Sequence, residues 1–388
     1  MGSVGSPKPE RYAGLFEIRF HIGELYFLVP FLYCAEYGPD EKVCLVFTRE
    51  DVYRQFRRDR VLTRAIDEIG AVIVRCFSDH LPEDGEGDNP EIREQVRQFK
   101  RRITRLLERT DYLFVQIGGG YIDRLMRGRG MMHPIIVRFP HTSGPALYNV
   151  NRSQKQDLRT RAKKGETMLV WDRRTEAHYK RTGFETVIPI GYHCTTPKWL
   201  DFLETIRDDR PRFALIFSYY PRDDVLPLRK WRMLHRDTYQ AIRDVFPDIP
   251  IVVKPHPNQD ARQLRSFMNT HQWENAEISN DNPMLLSKGS AFSVSFLTGG
   301  IFNTMLMDIP SINFFNARKE YAAHHGALKQ NYAAFGAADV GNRVELTAAL
   351  KEIEAGRLKM TFGTERNKLR RIESFRALTA KIRKTQGS

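Results

Sequence analysis

The sequence has few cysteines and no pair of them at the spacing of a metal site or a redox site. Its four cysteines, Cys34, Cys44, Cys76 and Cys194, lie far apart among 388 residues. Because no C-x-x-C pair occurs, neither a zinc site nor a redox dithiol is indicated. Cys44 and Cys76 lie in apolar, strand-like runs, so we expect buried thiols.

Long hydrophobic runs are also missing. The most apolar early stretch covers only residues 25 to 34 and follows charged and polar sequence. A helix that crosses a bilayer needs about 20 apolar residues, and this stretch lacks the layout of a cleaved signal peptide. We therefore expect a cytoplasmic protein, with peripheral attachment to the inner face of the plasma membrane as a further expectation.

Acidic residues are outnumbered by basic ones, 47 to 61, which gives a net charge of +14. Such a surplus indicates an anionic partner: a phosphate-bearing substrate, an anionic membrane surface or a nucleic acid. The basic residues cluster at 93–109, 152–164 and 366–384. The first cluster has helical spacing, which is typical of a solvated helix face or of a surface for lipid head groups or acceptor phosphates. Neither a helix-turn-helix nor an aromatic-and-basic strand face is evident, which disfavours nucleic acid.

Strand-like and helix-like segments alternate along the chain. Continuous Val, Ile and Leu runs between helices are typical of parallel strands buried on both faces. Prolines and a charged stretch interrupt the pattern between residues 195 and 212, and the length suits two domains. We predict an N-terminal Rossmann-like acceptor domain (1–195), a C-terminal Rossmann-like nucleotide-donor domain (212–365) and a basic helix or tail (366–388). Two such sheets leave a cleft at the C-terminal ends of their strands, where ligands bind.

The segment IVVKPHP at 251–257 places reactive side chains at one of these strand ends. A buried strand delivers Lys254 and His256 to its C-terminal edge, and the two prolines stiffen the exit. A rigid histidine there can donate a hydrogen bond to a phosphate or protonate a leaving oxygen. We predict donor binding by Lys254, His256 and Pro257; the alternative is a strand-ending turn with a surface histidine.

The segment SVSFLTGGIFNT at 293–304 predicts a second part of the same site. A strand ends near Ser295 and a helix begins near Gly300. The start of a helix offers N–H groups and a partial positive charge, Ser295 and Thr298 add hydroxyl groups, and Gly299 with Gly300 permits close backbone approach. These features predict phosphate binding; the alternative is helix capping by Thr298.

These two motifs, K-P-H-P and, one βα unit later, S-x-x-T-G-G-x-F-N-T-x-L-x-D-x-P, resemble those of bacterial surface-polymer transferases. That group includes the CDP-glycerol glycerophosphotransferases of teichoic-acid and capsule synthesis. The capsule sialyl- and Kdo-transferases, which use CMP-sugars, have similar motifs. The resemblance implies a GT-B fold, that is, two Rossmann-like domains facing a central cleft. It also implies that His256, Ser295 and Thr298 contact the phosphates of a cytidine nucleotide. Family members commonly have a second hydroxyl residue and an acidic residue where this chain has Gly299 and Asn303.

A transferase also needs a base for the acceptor hydroxyl. The segment PHTSG at 140–144 follows a predicted strand and resembles the His-Gly-Thr of the teichoic-acid group, which makes His141 the candidate base. Its alternative is a hydrogen-bonded structural histidine. Glu83-Asp84-Gly85 matches the acidic-acidic-Gly motif of bacterial sialyltransferases, so Asp84 is a rival base unless this loop is merely solvated. Lys254 and His256 would neutralise the departing phosphate.

The sequence thus favours a glycosyltransferase that moves a sugar from a CDP- or CMP-linked donor to a surface polysaccharide, glycolipid or polyprenyl-linked acceptor. A CDP-alditol phosphotransferase, a nucleotide-sugar epimerase of the same shape and a non-enzymatic polyanion or nucleic-acid binding protein stay open as alternatives. We predict no cofactor and no metal, because fixed cations and a helix N-terminus can replace a divalent ion. Asp223-Asp224 is the alternative Mg²⁺ site.

Overall fold

The computed structural model describes residues 11–19, 22–38, 41–77, 90–117, 120–128, 134–139, 166–181, 183–206, 209–325, 332–333, 336–360, 362–363 and 371–386.

Strands of the N-terminal half form one parallel sheet. In this half, the strands are β1 (Tyr12–Ile18), β2 (Lys42–Phe47), β3 (Val72–Arg75), β4 (Tyr112–Gln116), β5 (Ile135–Phe139), β6 (Thr167–Val170) and β7 (Thr186–Pro189). Their order in the sheet is β3-β2-β1-β4-β5-β6-β7. The helices around it are α1 (Leu25–Cys34), α2 (Glu50–Arg58), α3 (Arg60–Glu68), α4 (Pro90–Leu107), α5 (Tyr121–Gly128), α6 (Arg173–Arg181) and α7 (Pro197–Glu204).

A second parallel sheet repeats this winding. Its strands are β8 (Phe213–Phe217), β9 (Ile251–Lys254), β10 (Ala276–Ile278), β11 (Ser290–Ser295), β12 (Ser311–Phe314) and β13 (Ala338–Val340), in the order β10-β9-β8-β11-β12-β13. The helices of this half are α8 (Leu228–Val245), α9 (Ala261–Thr270), α10 (Pro283–Gly289), α11 (Ile301–Leu306), α12 (Arg318–His325), α13 (Arg343–Glu354) and α14 (Phe375–Gln386). The central strands β4 and β8 are buried along their whole length, as expected of parallel strands covered by helices on both faces. The predicted fold class, two Rossmann-like domains, is confirmed.

Two segments of the N-terminal half differ from the sequence prediction. The helix-like pattern of residues 51–69 predicts a single helix, but the structure divides it at Asp59 into α2 and α3. The Asp59 carboxylate accepts hydrogen bonds from the N–H groups of Val61 and Leu62, both at 3.0 Å, and so caps α3. The apolar stretch 25–34 forms α1, a largely buried helix that the prediction left unassigned. A short, continuous apolar run does not distinguish a buried helix from a strand.

An apolar core joins the two halves of the chain. One hydrophobic cluster combines residues of α1 and the first sheet with Met284 of α10 and Ile301 of α11. Helix α14 returns to the N-terminal domain, where the ring of Phe375 lies 6.4 Å from that of Phe16 and 5.8 Å from that of Phe114. Because hydrophobic interfaces restrict domain motion, this core holds the two domains in a defined orientation.

The C-terminal edges of both sheets face the same cleft. Asp59 lies between α2 and α3, in the connection from β2 to β3, and Asn282 caps α10 after strand β10. The side-chain amide of Asn282 donates to Asp59 Oδ2 at 3.2 Å, so the two domains are in contact at this point. Within the described ranges, no helix is long and apolar enough to span a bilayer.

Candidate functional site

Each sheet has a point where its winding reverses. In the C-terminal sheet this switch point lies between β8 and β11. The loops that leave two such strands diverge to opposite faces of the sheet, and the crevice between them is where open α/β sheets bind ligands. Here the two loops start side by side, because the N–H of Phe296 donates to the carbonyl oxygen of Phe217 at 3.1 Å. We call the space between them the donor crevice.

His256 lies beside the donor crevice, at the end of the strand next to β8. The N–H of Asn258 donates to His256 Nδ1 at 3.1 Å, and the N–H of His256 donates to Gln259 Oε1 at 3.2 Å. Because Nδ1 accepts, the neutral ring carries its proton on Nε2. The half-buried histidine is thus held by its own loop as a hydrogen-bond donor, and Pro257 after it is exposed.

Lys254 is oriented toward the contact between the domains. Its Nζ donates to the carbonyl oxygen of Asn280 at 3.2 Å. Burial lowers the pKa of Lys254 to about 8, while the charges of Asp59 and Asp281 oppose that shift. In this structure the lysine therefore links the end of β9 to the Asp59–Asn282 contact, and its predicted contact with a donor phosphate stays a prediction.

The loop after β11 is ordered by its own hydroxyl groups. The fully buried Ser295 donates from Oγ to the carbonyl oxygen of Thr298 at 3.3 Å, and Thr298 Oγ1 accepts from the N–H of Gly300 at 3.2 Å. Thr298 therefore caps the start of α11, which was the structural alternative to phosphate binding. The cap uses an oxygen lone pair and leaves the hydroxyl proton of Thr298 available to a ligand.

The first N–H groups of α11 also have partners inside the loop. Those of Phe302 and Asn303 donate to the carbonyl oxygens of Gly299 and Gly300 at 3.1 and 3.0 Å, and Asn303 Nδ2 also donates to Gly300 at 3.0 Å. Within the described residues, no hydrogen bond uses the N–H groups of Thr298 and Gly299. These two groups, rather than the helix itself, are the backbone donors that the loop offers.

Leu297, in the same loop, has a backbone conformation that residues other than glycine rarely adopt. Its φ of 53° lies in the left-handed region, and its N–H donates to Asn313 Oδ1 at 3.4 Å. Such strain costs about 1–3 kcal/mol and clusters at binding sites. The contacts of the surrounding fold therefore hold this loop in a conformation that is locally unfavourable at Leu297.

Gly300 is required by the close approach of this loop to strand β8. A Cβ there would lie 2.6 Å from a ring carbon of Phe217, whereas a Cβ at Gly128, at the end of α5, would meet nothing within 4 Å. We expect Gly300→Ala to lower the free energy of unfolding by about 1–3 kcal/mol through overpacking, measured by urea denaturation. Gly128→Ala is the matched control and should not destabilise; equal stability of the two variants would contradict the packing argument.

Four residues that sequence reasoning did not assign to the donor site lie in the loop after β8, one of the two loops of the donor crevice. The rings of Tyr219 and Tyr220 stack at 4.6 Å, and both lie near the ring of His256, at 5.1 and 5.0 Å. Arg222 Nε donates to Asp224 Oδ1 at 2.6 Å. Asp224, which the sequence offered as half of a magnesium site, is thus the partner of an arginine.

Tyr220 is polarised by these neighbours. Burial by itself would raise its pKa, but hydrogen bonds with Arg222, Tyr219 and Asn258 hold the pKa of Tyr220 below its usual value. The pattern YYPRDD after a predicted strand was visible in the sequence. Its place at the switch point was not, because the order of strands in the sheet cannot be read from the order in the chain.

A buried carboxylate lies at the switch point of the N-terminal sheet. Glu17, near the end of β1, is 1% exposed and accepts from the N–H groups of Tyr121 and Ile122 at 2.6 and 3.2 Å. Burial raises the pKa of Glu17 to about 7, although these two hydrogen bonds oppose the shift. A Cβ on Gly120 would lie 1.8 Å from Glu17 Oε2, so the backbone of Gly120 packs directly on this carboxylate.

Glu17 was not predicted, since a single glutamate in a strand-like run gives no signal of its own. Both candidate bases, His141 and Asp84, lie outside the described residues. The structure places Thr298, Gly299 and Gly300 in a loop of the donor crevice and His256 with Pro257 after the neighbouring strand β9, and their binding of a donor stays a prediction. It places Ser295 and Asn303 beneath the same loop, and Lys254 at the domain contact.

Comparison with known proteins identifies the fold. No family model and no curated protein matches the sequence. Among solved structures, the UDP-GlcNAc 2-epimerase of Methanocaldococcus jannaschii in complex with UDP-GlcNAc and UDP is 12% identical with a TM-score of 0.56, over 97% of this chain and 100% of that one. The Anabaena protein HepE in complex with UDP and glucose is 9% identical with a TM-score of 0.55, over 97% and 99%. A UGT transferase of Siraitia grosvenorii in complex with UDP is 10% identical with a TM-score of 0.53, over 96% and 99%.

These likenesses cover almost the whole of each chain, and at such low identity they establish architecture rather than activity. The protein has the GT-B fold, with two Rossmann-like domains facing a central cleft. The GT-B fold that the resemblance of the motifs implies is thereby confirmed.

Proposed function

We propose that the protein is a GT-B glycosyltransferase whose donor is a nucleotide-activated sugar. The observation that carries this proposal is His256, fixed with its proton on Nε2 at the edge of the donor crevice. Two proteins of the same fold are known in complex with nucleotides or sugars, UDP-GlcNAc and UDP in one and UDP with glucose in the other. The position of the crevice at a switch point supports the same kind of ligand here.

In this proposal the donor phosphates bind between the two loops of the crevice. His256 Nε2 donates to a phosphate oxygen, and the hydroxyl of Thr298 with the N–H groups of Thr298 and Gly299 supplies further donors. Fixed dipoles that face the oxygen on which charge develops stabilise a departing phosphate without reorganisation. This arrangement supports a reaction that does not depend on a divalent ion, as the sequence predicts.

The finer features of the proposal rest on the sequence motifs. The K-P-H-P and S-x-x-T-G-G patterns support a cytidine-linked donor and an acceptor of the surface polysaccharide, glycolipid or polyprenyl-linked type. His141 is the proposed base, with Asp84 as its rival. Exposed basic residues on α4 and α14, such as Arg101, Arg105 and Lys381, support attachment to an anionic membrane surface.

Replacement of His256 tests this proposal. Calorimetric titrations with CMP, CDP, UDP, GDP and ADP should show binding of a cytidine nucleotide to the unmodified protein. His256→Ala should weaken that binding by about 10–100-fold, since hydrogen bonds to charged groups contribute about 1.5–3 kcal/mol. His271→Ala is the matched control, because this exposed histidine follows α9, away from the C-terminal edge of the sheet.

The outcomes separate the proposals. Binding of UDP instead would keep the transferase and overturn the cytidine donor. Conversion of a nucleotide sugar in the absence of any acceptor would favour an epimerase. If no nucleotide binds and a salt-sensitive complex with nucleic acid forms, the polyanion-binding alternative is the better explanation.

A further inference from the structure

The stacked pair Tyr219–Tyr220 presents an aromatic surface at the donor crevice. Both side chains are half-buried, although hydrophobic rings are usually covered. Tyr219 packs against the hydrophobic core of the C-terminal domain and Tyr220 is the outer ring. The part of the outer ring that stays accessible is apolar area that a ligand in the crevice can cover, and its removal from water would favour binding.

The backbone holds this surface in a fixed position. Trp231 Nε1 donates to the carbonyl oxygen of Tyr219 at 2.7 Å. Behind it, His235 Nδ1 donates to the carbonyl oxygen of Trp231 at 2.8 Å, and the Ser218 hydroxyl accordingly donates to His235 Nε2, also at 2.8 Å. This buried series of hydrogen bonds anchors the end of β8. The aromatic pair is therefore arranged before any ligand arrives, which reduces the entropy lost on binding.

The distance between this surface and His256 limits what can cover it. The ring centroids of Tyr220 and His256 are only 5.0 Å apart. A phosphate held by His256 therefore brings the group bonded directly to that phosphate next to Tyr220. In a nucleotide sugar, the transferred sugar is bonded directly to the terminal phosphate. The nucleobase, by contrast, is separated from the phosphates by the ribose.

The chemistry of the surface fits a sugar ring. A pyranose has a rigid apolar face of C–H bonds that can lie on an aromatic ring, and hydroxyl groups at its rim. Next to Tyr220, the Arg222 guanidinium and the Asp224 carboxylate form a polar pair that can donate to and accept from such hydroxyls. A glycerol or ribitol chain has no rigid face of this kind.

We propose that Tyr219 and Tyr220 form the stacking face for the transferred pyranose of the donor, with Arg222 and Asp224 at its rim. This inference rests on the proposed function and decides between its two open forms, since it selects sugar transfer over alditol-phosphate transfer. It names the group that the donor crevice recognises beyond the nucleotide.

The test compares ligands that share one nucleotide. CDP, CDP-glucose and CDP-glycerol are titrated calorimetrically, as are UDP, UDP-glucose and UDP-GlcNAc, against the unmodified protein, Tyr220→Ala and Tyr220→Phe. We expect the sugar conjugate of the nucleotide that binds to bind about 10-fold more tightly than the bare nucleotide. Tyr220→Ala should abolish this gain, measured as the ratio of the two affinities within the same variant, whereas Tyr220→Phe, which keeps the ring, should keep the gain.

A matched control comes from the same domain. Tyr239 stacks on Trp273 at 4.7 Å, away from the crevice, and Tyr239→Ala should keep the sugar gain. The proposal is overturned if Tyr220→Ala keeps the gain, if it weakens CDP and CDP-glucose equally, or if CDP-glycerol shows the same gain as CDP-glucose. It is also overturned if sugar conjugates bind the unmodified protein no better than nucleotides. If no nucleotide binds at all, the proposed function itself fails, which the titration with bare nucleotides reveals first.

Discussion

Replacement of Arg138 by methionine should lower the free energy of unfolding by about 3–5 kcal/mol. Arg138 lies on β5 and donates to Asp123 Oδ2 at 2.7 Å and to both carboxylate oxygens of Glu166 at 3.1 Å. The three side chains are only 5–6% exposed. Removal of the guanidinium would take away the positive charge that both buried carboxylates contact, and neither carboxylate can be rehydrated without opening the fold.

Urea denaturation at pH 7, followed by tryptophan fluorescence, measures this loss. Arg357→Met is the control, because Arg357 forms a bidentate pair with Glu352 on the exposed surface, and such pairs contribute little. A triple variant, Arg138→Met with Asp123→Leu and Glu166→Met, should recover most of the loss, since apolar replacement of a whole buried network is often neutral. A single variant as stable as the unmodified protein would show that water reaches the two carboxylates.

The sequence predicted the parts of the fold that depend on local patterns. Runs such as FALIF in β8 are apolar throughout and short, which favours a strand covered on both faces. The run LYFLVPFLYC in α1 is equally apolar, but no periodicity marks it as a helix. The break between α2 and α3 at Asp59 was not predicted for another reason. In a continuous helical pattern, the sequence does not distinguish a capping aspartate from an exposed acidic residue.

The same distinction applies to the donor crevice. The positions of His256 and the loop 295–300 at strand ends could be predicted because a strand end, prolines and glycines lie within a few residues of each other in the sequence. The interaction of Lys254 with Asp59 joins residues nearly two hundred positions apart and has no local signature. Tyr219 and Tyr220 matter only because β8 lies beside β11, and strand order arises from packing of the whole domain.

The two switch points differ in a way that suits opposite sides of a transfer reaction. The donor crevice offers hydrogen-bond donors and aromatic rings, whereas the N-terminal switch point contains the buried carboxyl group of Glu17. A group whose pKa is shifted toward neutrality by burial is common at functional sites. Both carboxylate oxygens of Glu17 accept hydrogen bonds from the first N–H groups of α5, so in this structure Glu17 fixes the backbone that follows Gly120.

The ionisation of Glu17 should make the protein less stable as pH rises. Its pKa is raised from 4.5 to about 7 in the folded state. Between these values the folded state keeps a proton that the unfolded chain releases, so a rise in pH favours unfolding. The shift corresponds to about 3 kcal/mol, at about 1.4 kcal/mol per pH unit. This contribution is complete below pH 4.5 and is lost as pH rises through about 7. Urea denaturation at intervals from pH 4.5 to 8.5 measures it.

Glu17→Gln isolates this contribution from the other titrating groups, because those groups are present in both proteins and cancel in the difference. The amide cannot ionise, so the variant should lose about 3 kcal/mol less stability than the unmodified protein between pH 4.5 and 8.5. Glu108→Gln, at an exposed position after α4, controls for the loss of one carboxylate and should follow the unmodified protein. Parallel pH profiles for Glu17→Gln and the unmodified protein would mean that water or movement of α5 solvates Glu17. The carboxyl group would then ionise as it does in the unfolded chain, and it would not hold the backbone next to Gly120 in place.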